Sequence, residues 1–206
     1  MTDQAQSSVA RRPAHPRAPV IIASVIFAAL ALMPLLSELY GGAYLTSLAV
    51  RAMILAIVAI SLDLLIGQGG MVSFGHSAFV AIGAYAAGIM ITDGADEMAL
   101  ILPVAVGAAA IFAVLSGAVC LRTSGVSFIM ITLAFGQMVF FGLGSLAQYG
   151  ADDGLTLWSS PEFLGTRWLA SDMGVYVTVL TVLVGTWALV HRVVGSRFGR
   201  VLRAAR

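Results

Sequence analysis

Charge is what this chain has least of. Asp, Glu, Lys and Arg make up 10% of its 206 residues, while 60% are hydrophobic. Soluble domains carry roughly 25% charged residues. No single soluble core absorbs so little charge, whereas a lipid solvent does. Lysine is absent, all eleven basic residues being arginine, and the net charge of +1 gives no electrostatic footing for nucleic acid. Cys120 is the one cysteine, which excludes an intrachain disulfide and a cysteine metal cluster. His15, His76 and His191 lie far apart without ligand spacing, so the sequence offers no metal site. No Gly-x-x-x-x-Gly-Lys-Ser/Thr loop occurs, and no catalytic constellation is visible, so neither a nucleotide site of that type nor any cofactor is expected. A secretory signal is a poor reading of the start. Arg11, Arg12 and Arg17 do precede an apolar run, but more membrane-like sequence follows Ala28–Ala31 in place of a soluble domain.

What remains is long apolar runs. A spanning helix needs about 20 such residues, and six segments qualify as candidates: Pro19–Leu36, Tyr44–Ile66, Val72–Ile91, Met98–Leu121, Val126–Gln148 and Gly174–Val190. The expected fold class is an all-α integral membrane protein, a polytopic helical bundle in one domain. The third segment is either a crossing or a re-entrant piece. Arginine is retained on the cytoplasmic side of a membrane. With the N-terminus inside, Arg11, Arg12, Arg17, Arg122, Arg192, Arg197, Arg200, Arg203 and Arg206 all fall inside. Glu38, Asp93, Asp96, Glu97, Asp152, Asp153, Glu162 and Asp172 then fall outside, with Arg167 alone against the pattern and Arg51 within a span. Tyr40, Tyr44, Tyr149, Trp158 and Trp168 gather near the outer boundary, where amphipathic rings prefer to sit. Gly150–Asp172 reads as a short ordered cap on that face. The divisions expected are a cytoplasmic tail over 1–18, a membrane domain over 19–194 and a cytoplasmic segment over 195–206.

The most informative stretch is Asp63–His76, where the second apolar run stops at Gly67, Gly69 and Gly70, passes Ser73 and His76, and becomes apolar again. Backbone broken at membrane depth survives only against protein or a watery cavity, and interrupted helices mark solute paths in transporters. The glycines read as a hinge beside such a path or as a tight cytoplasmic turn. Ser73 is placed to cap the third helix, with His76 in its first turn, where a buried imidazole needs a hydrogen-bond partner. Asp63 is a pathway residue, a partner for another helix, or a carboxylate reaching the boundary. It lies twelve positions, about 18 Å at 1.5 Å per residue, from Arg51, so the two cannot pair within one straight helix. Gly83, Ala84, Ala87 and Gly88 form a small-residue face of the kind that packs helices closely in lipid, and Gly107–Ala110 reads the same way.

In the fifth segment Gln137, Gly144 and Gln148 share one stripe at helical spacing, which should face a neighbour or a cavity. Gln137 could bind a zwitterionic or amide-bearing solute or another helix. At the end, Arg197, Arg200 and Arg203 recur every three residues around Phe198, Val201 and Leu202. That is either an anchor on anionic lipid or a docking helix for a cytoplasmic partner.

Several pieces, in order from about residue 45 onward, resemble the permease subunits of bacterial branched-chain amino-acid ABC importers, the LivM-like half in particular. They are Ser61-Leu-Asp-Leu-Leu-Ile-Gly, Gly70-Met-Val-Ser-Phe-Gly-His-Ser-Ala-Phe, Ile82-Gly-Ala-Tyr, Arg122–Met138 and Ser196-Arg-Phe-Gly-Arg-Val-Leu-Arg-Ala. The resemblance implies a transporter subunit and not an enzyme, located in the bacterial inner membrane. Its implied partners are a second, homologous permease subunit, two cytoplasmic ATPase subunits that hydrolyse ATP, and a periplasmic solute-binding protein. It also implies that Ser196, Arg197, Phe198, Gly199, Arg200 and Arg203 begin the cytoplasmic coupling region that seats on the ATPase. Family members usually continue through further membrane helices, so an incomplete permease domain is expected here. An amide is commoner than Asp63 in the sequences it resembles. Permeases for urea or short amides look similar and stay open as an alternative, as do a self-contained channel or carrier and a non-transporting remnant.

Overall fold

The computed structural model describes residues 26–34, 43–95, 97–151, 154–157 and 168–197, together with 161, 162, 166 and 199. Six helices carry the fold: α1 (26–34), α2 (Ala43–Gly69), α3 (His76–Thr92), α4 (Met98–Cys120), α5 (Val126–Gly144) and α6 (Asp172–Gly195). There are no strands among the described residues, and Glu97 and Glu162 form an isolated bridge. α2, α4, α5 and α6 are each long and apolar enough to cross a membrane, and α3 is a shorter apolar helix. At 27 residues α2 is about 40 Å long, whereas the 17 residues of α3 give about 25 Å, a little less than a hydrocarbon core of about 30 Å. Six non-helical residues precede α3.

The surface is apolar on the outside, as a lipid solvent requires. Leu55, Val114 and Phe140 are each more than two-thirds exposed, at 69%, 71% and 68%. Lipid tails are as apolar as leucine, so helices associate here through close packing and hydrogen bonds and not through exclusion of water.

Packing divides the helices into two groups. In the first, α2 lies along α6, with Ala49, Met53, Tyr176 and Leu183 buried between them and Phe27, Leu30 and Met33 of α1 laid against the same core. The Tyr176 hydroxyl donates to the Leu30 carbonyl, which ties α6 to α1. In the second, α3 packs on α4 and α5, and α4 touches α5. Ser171 caps α6 by accepting from the Gly174 amide at 3.1 Å, while Asp172 and Arg192 sit at the helix ends whose partial charges they complement.

Element boundaries differ from the expected ones mainly at α5 and α6. α5 stops at Gly144 and Gln148 falls in a separate 3-10 turn, Ala147–Tyr149, so the expected stripe does not run as one helix to Gln148. α6 begins at Asp172 because its cap is Ser171. The small residues of α3 do not act as one helix-packing face. Gly88 meets the side chain of Leu155 from the loop, and a Cβ on Gly83 or Gly107 would touch nothing within 4 Å. The loop after α5 does cap that end of the bundle, with the Met98 amide donating to the Glu162 carbonyl at 2.9 Å. Asp152, Asp153, Trp158 and the N-terminal arginines lie outside the described residues.

Candidate functional site: a cavity beside the glycine break

α2 ends at Gly69 because Gly70 turns to a φ of 65°, a conformation that costs a residue with a Cβ but not glycine. The chain then runs without helix to Gly75, the N-cap of α3, which makes no side-chain capping bond. Ser73 is therefore not the cap expected of it, for it stands two residues too early. It lines a cavity instead.

That six-residue break is clamped to α5. A Cβ on Gly75 would collide with the Thr132 carbonyl oxygen, and one on Gly136 would lie 3.4 Å from the Gly75 Cα. The Phe74 amide points at the buried Thr132 hydroxyl at 3.4 Å, and that hydroxyl donates to the Ile129 carbonyl at 2.9 Å. Broken backbone is thus held against protein, as hydrocarbon demands.

The cavity, about 450 Å³, lies where α2 and α4 end and α3 and α5 begin. Ser61, Leu64, Leu65 and Gly69 form its α2 wall. His76 and Phe79 face it from α3, Phe112, Ser116, Gly117 and Cys120 from α4, and Phe128, Thr132 and Phe135 from α5. Aromatic rings link three helices across it, Phe79 to Phe112 at 5.4 Å and Phe112 to Phe135 at 6.2 Å, both edge to face. The hydroxyl of Ser116 is turned back onto its own helix, donating to the Phe112 carbonyl at 2.7 Å, so the α4 wall is effectively apolar. Polar character concentrates at the break, in Ser73 and in the pair Ser61 Oγ–His76 Nε2 at 2.5 Å.

Of the pathway candidates, the structure brings Gly69, Ser73 and His76 to the cavity and leaves Asp63, Gly67, Gly70 and Gln137 off its wall. Asp63 and Gln137 are exposed on the outward faces of α2 and α5. Gln137 does not line this cavity, since Thr132 and Phe135, which do, lie on the other side of α5. Sequence reasoning missed Ser61, Phe112 and Phe135. Ser61 follows fifteen positions before His76 and carries no local signal, and the phenylalanines look like any lipid-facing residue until the helices are assembled.

At the far end of α6, Ser196 closes the helix, its hydroxyl donating to the Val193 carbonyl at 2.6 Å and accepting from the buried Gly199 amide at 3.5 Å. Arg197 is exposed, and Phe198, Arg200 and Arg203 lie outside the described residues.

A lipid-exposed helical bundle with a helix broken at an internal cavity is the architecture of a membrane permease. The family comparison is specific: residues 44–206 match the family described as branched-chain amino acid transport system / permease component, and the chain belongs to that family. Comparison with curated proteins and with solved structures gave no match.

Proposed function

We propose that this chain is the membrane-spanning permease subunit of an ATP-driven importer of branched-chain or related amino acids in the bacterial inner membrane, with its N-terminus in the cytoplasm. The observation that carries this reading is the cavity at the glycine break, in a chain of this family. Its walls are aromatic and aliphatic, which rewards burial of a branched side chain at about 25 cal/mol per Å² and offers few partners for urea or a small amide.

Charge supports this orientation. Arg122 and Arg197 lie at the end of the bundle where the cavity sits, and Arg192 in the last turn of α6 at that same end, while Asp93, Glu97 and Asp172 lie at the other. By the retention of arginine inside, the cavity is an inward-facing vestibule. Solute would pass Ser73, His76 and the glycine joint at Gly69–Gly70, and ATP binding in partner subunits would be transmitted through the segment from Ser196 onward. The partners are a second, homologous permease, two cytoplasmic ATPases and a periplasmic binding protein.

Reconstitution with those partners in liposomes tests the whole. Leucine uptake should require ATP and both ATPase copies, whereas uptake by this chain without any ATPase would contradict the reading. The coupling segment has its own test. Changing Arg197, Arg200 and Arg203 together to glutamine should weaken co-purification with the ATPase about tenfold or more, equivalent to about 1.4 kcal/mol or more. Unchanged recovery would leave these arginines as a lipid anchor.

A further inference from the structure

We infer that Ser61 and His76 form a latch across the glycine break, between two half-bundles that border a common cavity. The halves are defined by packing. α1, α2 and α6 share the core of Ala49, Met53, Tyr176 and Leu183. α3, α4 and α5 are joined by the chain of rings from Phe79 through Phe112 to Phe135. The break belongs mechanically to the second half, since Gly75 and Phe74 are seated on Thr132 and Gly136 of α5. The covalent joint is therefore at its first residues, where Gly70 takes a φ of 65° directly after α2 ends.

Across from that joint stands α2, whose Leu64, Leu65 and Gly69 face the cavity. Ser61 sits two helical turns before Gly69 on that wall, and its hydroxyl meets His76 Nε2 at 2.5 Å. His76 is the first residue of α3, fixed to the second half by its helix and by the ring of Phe79 at 5.9 Å. Apolar walls facing a cavity supply little cohesion in lipid, so a hydrogen bond between them has leverage on how often they part. Moving α2 away from α3 by pivoting at Gly70 breaks this bond and leaves both cores intact. Bond made and bond broken are then the two positions of one joint.

The chain carries its own reporter. Cys120 is its one cysteine, is 6% exposed, and lines the cavity on the second half. In the full-length chain in membranes, the rate at which a membrane-permeant maleimide labels Cys120 should rise about fivefold or more in Ser61→Ala and in His76→Ala, and return near the wild-type rate in Ser61→Thr. A second arm does not depend on the alanine variants folding. In a Cys120→Ser background, Ser61→Cys with His76→Cys, joined by a short thiol cross-linker, should stop ATP-driven uptake in the assembled transporter and recover it on reduction. Phe27→Cys joined to Trp187→Cys, both within the α1, α2 and α6 half and off the cavity wall, should not stop it. Labelling that is equal in wild type and in correctly melting alanine variants, or full uptake through the cross-linked joint, overturns the latch. The transport arm rests on the permease reading and the labelling arm does not, so wild-type transporter that imports nothing, with labelling still accelerated, separates the two failures.

Discussion

Gly75→Ala should leave little folded protein. The added Cβ lands on the Thr132 carbonyl oxygen, close to the Thr132 carbonyl carbon as well. Those are backbone atoms in the interior of α5, which no rotamer change can move aside. Either α3 slides off α5 or α5 bends, and both withdraw the Phe74 amide from the Thr132 hydroxyl. Overpacking a close contact costs about 1–3 kcal/mol and more where backbone must shift. Loss of a part-buried amide's partner adds up to about 1–3 kcal/mol. Together these remove about 2–6 kcal/mol, a large fraction of a typical stability of about 5–15 kcal/mol. The measurement is the yield of monodisperse protein in detergent and its melting temperature. Gly83→Ala is the internal control. It lies on the same helix with nothing within 4 Å of its would-be Cβ, and should melt at or slightly above wild type. Normal yield and melting for Gly75→Ala would mean that α3 does not approach α5 so closely.

This contact also marks the limit of what could be read from the sequence. The helices were legible because apolar runs of membrane length are a one-dimensional signal. The start of α4 at Met98 and of α5 at Val126 follow from the flanking polar residues alone. The break was legible because glycines cluster between apolar runs, and Gly70 does take the conformation that only glycine adopts freely. What was not legible is which face each helix turns inward. In a soluble protein the polar face is outside and the periodicity gives it away. Here both faces are apolar, so Phe112 on the cavity wall and Phe140 on the outer surface have the same sequence signature. The placing of polar residues was hidden for the same reason. Gln137 stood out as the deepest amide of α5, yet it is exposed on the outward face of the chain. Ser61 and Thr132 are modest hydroxyls that drew no notice as site residues, but they meet His76 and Phe74 across the break. Ser73 was placed to cap α3 by counting, and the real cap, Gly75, was chosen by close approach to α5, which no local pattern encodes.

Gly117→Trp is expected to have the opposite profile to Gly75→Ala: normal folding and no transport. Gly117 lies on α4 at the cavity wall, between Ala113 and Cys120 on the same lining stripe. A Cβ there meets nothing within 4 Å, so a side chain can be attached without moving backbone. An indole placed on that wall takes up part of a space of about 450 Å³ that is already walled by Phe112, Phe128 and Phe135. Apolar contact with those rings would hold it there, in offset or edge-to-face geometry worth about 0.5–1.5 kcal/mol per pair. Melting should therefore stay at the wild-type value or rise. If solute crosses this cavity, excluding it should lower ATP-driven leucine uptake about a hundredfold, which corresponds to about 2.7 kcal/mol on the rate-limiting barrier. Gly117→Ala, which adds a single carbon to the same wall, should retain most of the uptake. The pair of measurements is uptake in reconstituted transporter and melting of the same preparation. Wild-type uptake by a stably folded Gly117→Trp would remove the cavity from the solute route while leaving the family membership untouched. Loss of uptake together with preserved melting ties the route to this cavity, where α2, α3, α4 and α5 all turn a side chain toward the same space.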